Sequence, residues 1–249
     1  MALMEGNIVR PGIYMRYENI GPYPPKTPKY HSGGGSVVIP PSEEPETTID
    51  AAAFDTLAAA FENAADGATI VLTVDRDIKE PLKIPEEKTV TLRIPAGVTL
   101  GVDAGTSNYG MVVKGDLTIE GDGEIVLSGY GFGTSMNTDS KLTIKGGTFK
   151  ANGCDYIIGC FDGEVVIEGG TFLGEYCVVN NFSDYYKTDG KVTITGGLFT
   201  TSAEESYDVL GSPVAISGGQ FSKPVDASHC AEGYTPATTP DEDGFYTVA

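Results

Sequence analysis

The sequence has no tryptophan, two histidines, four cysteines and a shortage of positive charge. Each shortage excludes something. Lys and Arg number 16 against 35 Asp and Glu, for a formal charge of −19. Such a chain repels a phosphate backbone, so nucleic acid is excluded as a partner. The same repulsion disfavours an anionic membrane surface and polyanionic sugars. No run of about 18 apolar residues exists, so no helix is expected to span a membrane. Cys154, Cys160, Cys177 and Cys230 lack metal-ligand spacing, and neither a metal nor a cofactor is expected. Met1-Ala2-Leu3-Met4 runs straight into Glu5, Gly6 and Asn7 without the apolar core of an export signal. The expectation is synthesis and folding in a cytosol, with the cysteines as small reduced core residues.

What is present is glycine, 33 residues of it, and enough apolar side chain (40%) to build a core. Three zones differ in composition. Residues 1–30 form an extended, Pro- and Tyr-rich arm, and residues 31–48 a Gly/Pro linker containing Gly33-Gly34-Gly35. Residues 49–249 form the folded domain. Up to residue 48, four bases face five acids, so the domain holds −18 of the −19. It opens with a capping helix over 49–66. Thr48 or Asp50 is the candidate cap, Phe54, Leu57, Ala58, Phe61 and Ala65 the candidate buried face, and Gly67 the stop. Residues 224–249 are expected to cap the other end.

An internal repeat between them decides the fold. Four octets match: Leu142 to Phe149, Val165 to Phe172, Val192 to Phe199 and Val214 to Phe221, each with a Gly-Gly pair before its last two residues. Leu117-Thr-Ile-Glu-Gly is a degenerate member and Val90-Thr-Leu-Arg-Ile an earlier one. Alternation points the first and third residues of each octet inward, Gly-Gly turns a corner, and the phenylalanine returns to the interior in a column. A second equivalent strand follows Tyr109, Tyr156, Tyr176 and Tyr207 in most units. A unit of 22 to 27 residues cannot bury its apolar face alone and must stack on its neighbours. The fold class is all-β: a parallel β-solenoid of about five to seven rungs. Leucine-rich repeats want a Leu/Asn pattern that is absent, and propeller blades need longer units.

Phe54 to Leu100, with its helix, Asp66-Gly-Ala-Thr-Ile-Val-Leu72, Leu82-Lys-Ile-Pro85 and Val90-Thr-Leu-Arg-Ile, resembles the N-terminal cap and first coil of the pectin-lyase-like superfamily. That resemblance implies a right-handed parallel β-helix. The end, from Cys230-Ala-Glu-Gly-Tyr234 to Asp243-Gly-Phe-Tyr-Thr-Val248, is similar to the ends of such repeats in surface proteins of gut Firmicutes. Asn7-Ile-Val-Arg-Pro-Gly-Ile-Tyr-Met-Arg-Tyr17 resembles the start of contractile phage tail sheath proteins, where the segment is an arm that pairs with neighbouring subunits. Val9, Arg10, Pro11, Gly12, Ile13, Tyr14 and Tyr17 are therefore candidate attachment residues.

Catalysis is not expected. A lyase needs a cationic side chain at the proton it removes, and all four arginines precede residue 97. His31 lies in the linker and His229 in the terminal cap, so the coils hold no general-base histidine. The acids show no paired-carboxylate motif for glycoside hydrolysis. Asp-Gly at 122–123 and 162–163 reads as turn chemistry, with calcium loops as the alternative. Tyr109, Tyr156, Tyr176 and Tyr207 lead equivalent strands and are expected to stack in register along one flank. Beside Asn180, Asn181, Asp155 and Asp208 they are candidate contacts for neutral sugar rings, the alternative being an aromatic stack against a corner.

The expected function is a non-enzymatic structural or decoration protein of a phage or phage-like particle. The arm docks on capsid or tail subunits, and the β-helix projects as a candidate binder of host or mucosal glycans. The expected location is the virion, with a homo-oligomer open. The alternatives are a bacterial cell-surface adhesin module and a polysaccharide-degrading enzyme.

Overall fold

The computed structural model describes residues 48–53, 55–103, 105, 109–129, 131–134 and 139–249. The arm, including Val9 to Tyr17, and nearly all of the linker lie outside the described residues. From Ala68 onward the chain winds through seven turns of a parallel β-solenoid with three sheets. The first sheet runs Thr48–Asp50, Ala68–Val71, Thr89–Arg93, Asp116–Glu120, Lys141–Ile144, Glu164–Ile167, Lys191–Ile194, Val214–Ile216. The second begins at Arg76–Ile78 and reaches Gln220–Phe221, and the third begins at Leu82–Ile84 and reaches Tyr207–Gly211.

The register is the one the repeats predict. Val90, Leu117, Leu142, Val165, Val192 and Val214 follow one another as partners, two residues from Leu92, Ile119, Ile144, Ile167, Ile194 and Ile216. All of them are buried. Phe149, Phe172, Phe199 and Phe221 stack with ring centroids 4.9 Å apart at each step. That is the spacing of neighbouring strands, so the rings ride on the ladder rather than bending it.

The Gly-Gly corners have two separate causes. At the first position the coil beneath comes too close: a Cβ on Gly196 would sit 2.4 Å from the Glu168 carbonyl oxygen. At the second, Gly197 has φ +111°, in the left-handed region that side chains avoid. The pair is thus a contact requirement followed by a conformational one.

The N-terminal cap differs from the sequence reading. Thr48–Asp50 is a strand, pairing in parallel with residues 69–71. The helix, α1, is shorter, Leu57–Asn63, and its N-cap is Thr56, whose hydroxyl accepts from the Ala59 N–H. Leu57, Ala60, Phe61 and Ala64 are buried, while Ala58 and Ala65 are exposed. The first rung clamps this cap. Arg76 donates to the carbonyls of Asp55 and Ala51 at 3.1 Å each. Lys88 Nζ donates to Glu62 O, Ala64 O and Phe61 O at 2.7, 3.0 and 3.3 Å, satisfying the end of α1 with one ammonium. Lys88→Met keeps the stem and removes the donors; a loss of about 1.5–3 kcal/mol is expected by urea unfolding, and an unchanged midpoint would refute the clamp.

At the other end, two backbone pairings from the last residues lie over the final rung. The Cys230 backbone bridges in parallel to Ile216, and Tyr246–Thr247 pairs antiparallel with Gln220–Phe221, covering the edges of the first and second sheets. Asp208 anchors the exit. Its carboxylate accepts from Lys223 N–H at 2.8 Å, the Ser222 hydroxyl at 2.9 Å and the Thr201 hydroxyl at 3.0 Å. Burial nevertheless raises its pKa above the usual carboxylate range. A raised folded pKa means the native state holds the proton better, so this contribution to stability is lost as pH rises through that value.

Candidate functional site

All four cysteines are free thiols, and burial pushes Cys154 up to about 11 and Cys177 to about 12, so neither is a nucleophile at neutral pH. Among the described residues no cluster of three His, Cys, Asp or Glu side chains is placed to hold a metal. The chemistry of the surface lies elsewhere, on the outer side of the third sheet.

There the strand Cys177–Asn181 leads into an excursion, residues 182–190, before the chain rejoins the first sheet at Lys191. The excursion contains one turn of helix, α2, Ser183–Tyr186, closed by Lys187 in the left-handed conformation at φ 61°. A buried asparagine holds it. Asn181 donates through Nδ2 to Pro213 O at 2.7 Å and Gly190 O at 3.1 Å. Its Oδ1 accepts from the Ser183 hydroxyl at 2.6 Å and the Ser183 N–H at 3.0 Å. Phe182 N–H bonds to Cys160 O at 2.7 Å, and the Thr188 hydroxyl donates to Phe161 O. Every hydrogen-bonding valence of the Asn181 amide is used, so the excursion is fixed at both ends to the coil.

On this footing the aromatic side chains assemble in layers. Phe161 and Phe182 stack at 4.7 Å, 8° from parallel. Tyr156 meets Phe182 edge-on at 5.1 Å, and Tyr109 meets Phe161 at 5.2 Å. Above them Tyr186 leans on Phe161 at 5.6 Å and Tyr185 crosses Tyr186 at 4.9 Å. Tyr156 is 7% exposed, whereas Tyr186 is 46% and Tyr185 79% exposed. The lower rings are a foundation and the upper two a platform. Beside the platform lies an open groove of about 510 Å³, lined by Asn180, Asp184, Tyr185, Tyr186, Gly211 and Ser212 among others.

The four tyrosines expected to form one ladder do not form it. Tyr156 is in register with Cys177, and Cys177 with Tyr207, so Tyr176 precedes the shared column by one residue. Because side chains alternate, one residue of offset moves a ring to the other side of the strand. Tyr109 and Tyr156 sit in the foundation, while Tyr176 and Tyr207 are 54% and 56% exposed where the third sheet begins. Of the polar neighbours, Asn180 and the buried Asn181 both line the groove, Asp155 is exposed, and Asp208 is buried and serves the C-terminal exit.

Tyr185 and Tyr186 were not singled out from sequence. The signal was present as length: the unit from Val165 to Val192 is one of the two longest, and its surplus falls on Phe182-Ser-Asp-Tyr-Tyr186.

Compared with models of known protein families, with curated proteins and with solved structures, the chain has no significant match in any of the three.

Proposed function

We propose that this protein is a non-enzymatic display protein: a rigid β-solenoid that presents an aromatic platform to neutral glycans and is carried on a phage or phage-like particle by its N-terminal arm. In this reading the body is a right-handed relative of the pectin-lyase-like proteins, and the arm docks on capsid or tail subunits. The observation that carries the glycan half is Tyr185, 79% exposed on a segment that the Asn181 amide ties to the coil at both ends. An aromatic face held out on a tethered segment, with the Asn180 amide and the Asp184 carboxylate beside it, suits a sugar ring: apolar C–H face on the ring, hydroxyls on the polar groups. The −18 carried by the domain favours an uncharged glycan over an acidic one. The groove lining holds one carboxylate, Asp184, where hydrolysis of a glycosidic bond uses two.

The test is binding of the full chain to an array of neutral and acidic oligosaccharides, followed by titration of the best neutral ligand. Tyr185→Ala is expected to weaken that ligand by about tenfold or more, the usual scale for truncating an aromatic anchor, with the thermal midpoint unchanged. Binding of acidic glycans alone, or equal affinity of the variant, would overturn the reading.

A further inference from the structure

The outer face of the first sheet carries charge in an order that its acidic surroundings do not share. Its central column is Thr91, Thr118, Thr143, Val166, Thr193 and Ala215. On one side of it run Asp116, Lys141, Glu164 and Lys191, successive partners in the ladder. On the other run Arg93, Glu120, Lys145 and Glu168, the last two placed by the bonds Lys145 N–H to Ile119 O and Glu168 N–H to Ile144 O. On the Asp116, Lys141 and Glu164 rungs both columns have the same sign and change it together; on the flanking rungs Arg93 and Lys191 continue the alternation opposite Thr89 and Thr195. The Asp116 rung is negative, the Lys141 rung positive, the Glu164 rung negative and the Lys191 rung positive. Over the six rungs from Thr89 to Ala215, four acids and four bases make this face neutral, on a domain that carries −18; Asp50, two strands before Arg93 in the second column, lies outside that stretch.

Part of that order is satisfied within the chain. Arg93 pairs with Glu120 at 2.5 Å and Lys141 with Glu164 at 2.8 Å. Asp116, Lys145, Glu168 and Lys191 have no ion pair among the described residues, and the last three are exposed. The remaining set is two acids and two bases.

From this geometry we propose that two copies of the chain associate through this face, with their solenoid axes antiparallel. A two-fold axis along the strand direction, between the Lys141 and Glu164 rungs, sets the Asp116 rung against the partner's Lys191 rung and the Lys141 rung against the partner's Glu164 rung. Asp116 then faces a partner lysine, Lys145 faces a partner glutamate, and all four unpaired charges meet the opposite sign. The other face-to-face two-fold, with axes parallel, sets each rung against itself and opposes like charges on the Asp116, Lys141 and Glu164 rungs. The stripes therefore select one arrangement. This axis opposes six strands, Thr89–Arg93 to Val214–Ile216; at about five residues each they make a face of roughly 16 by 29 Å, so about 900 Å² in total is covered, the size of a weak, reversible interface. The small central column lets the faces approach, and local neutrality lowers the repulsion that keeps such acidic bodies apart.

Sedimentation velocity on the full chain reads the result. The native protein is expected to sediment at twice 26.1 kDa at micromolar concentration and to dissociate as salt is raised. Lys145→Glu with Lys191→Glu makes the stripes uniformly acidic at the unpaired positions. Asp116→Lys with Glu168→Lys makes those positions uniformly basic. Each double variant leaves both in-chain ion pairs intact and is expected to be monomeric. Mixing the two is expected to restore a dimer containing one copy of each, which also shows that both are folded. A native protein that stays monomeric to roughly 100 µM overturns the proposal. So does a dimer that survives either double variant, or a mixture that stays monomeric.

Discussion

Phe172→Ala is expected to cost about 3–5 kcal/mol, the range for deleting a fully buried phenylalanine. The ring is completely buried, between Phe149 and Phe199 at 4.9 Å on either side and 15° and 10° from parallel with them. The cavity cannot close easily, because its floor and roof are rings held by separate strands at a spacing the ladder fixes. Two stacking contacts are lost as well, worth about 0.5–1.5 kcal/mol each beyond buried area. Phe221 supplies the comparison. It ends the column with one stacked neighbour, Phe199, and lies under the cap strand Tyr246–Thr247. Phe221→Ala is expected to cost less than Phe172→Ala by urea unfolding, and equal losses would show that the column does not act as a stack. Since each rung contacts only its neighbours, the central deletion is also expected to lower the m-value by letting the two halves unfold separately.

The parts of the fold that could be read from sequence are those set by the repeat itself. Residues two apart pointing inward, a Gly-Gly corner and a returning phenylalanine recur four times, and stacking converts that recurrence into columns with no further information. The N-terminal cap was read less well because its competitor is not local. Thr48-Ile49-Asp50 precedes an alanine-rich stretch and reads as a helix start, but it gains more by pairing with Thr69, Ile70 and Val71, some twenty residues on. Thr56 then becomes the first residue free to cap. The tyrosine ladder failed by one residue at Tyr176, where the corner between Gly174 and Cys177 advances the strand relative to Tyr156. A pattern with a period of two has no tolerance for that slip. The platform was hidden for a different reason: Tyr185 and Tyr186 belong to no repeat, and their placement depends on Asn181, an amide in the third sheet's last residue position, where the rung before has Cys160 and the rung after Gly211.

Asn181→Ala is expected to lower stability and, on the proposed reading, glycan recognition together. The side chain is 2% exposed, yet when it goes the Ser183 N–H loses its partner, while Gly190 O keeps only the Ser183 hydroxyl and Pro213 O only the Val192 N–H. One buried N–H left unpaired costs about 1–3 kcal/mol and each of the two lost bonds to carbonyls about 0.5–1.5 kcal/mol, so a loss of about 2–6 kcal/mol is expected if the excursion stays in place. The cheaper response is for residues 182–190 to leave the coil, which spreads Tyr185 and Tyr186 off their foundation. Proteolysis is then expected to cut within 182–190 while the solenoid survives, and affinity for the neutral glycan is expected to fall about tenfold or more. Asn180→Ala is the control: half-exposed on the groove, it is expected to weaken binding without creating the cleavage site. Asn181→Asp sharpens the physical cause. An ionised carboxylate cannot donate to Pro213 O and Gly190 O and is repelled by both, so its pKa rises in the folded state. Below that value the protonated acid regains one donor. The Asn181→Asp defect is therefore expected to ease as pH falls through the raised value and to be fully expressed at neutral pH, while the Asn181→Ala defect stays constant across the same range. Protease resistance measured against pH distinguishes them, and parallel profiles for the two variants would mean that the amide's donors are not what holds the platform.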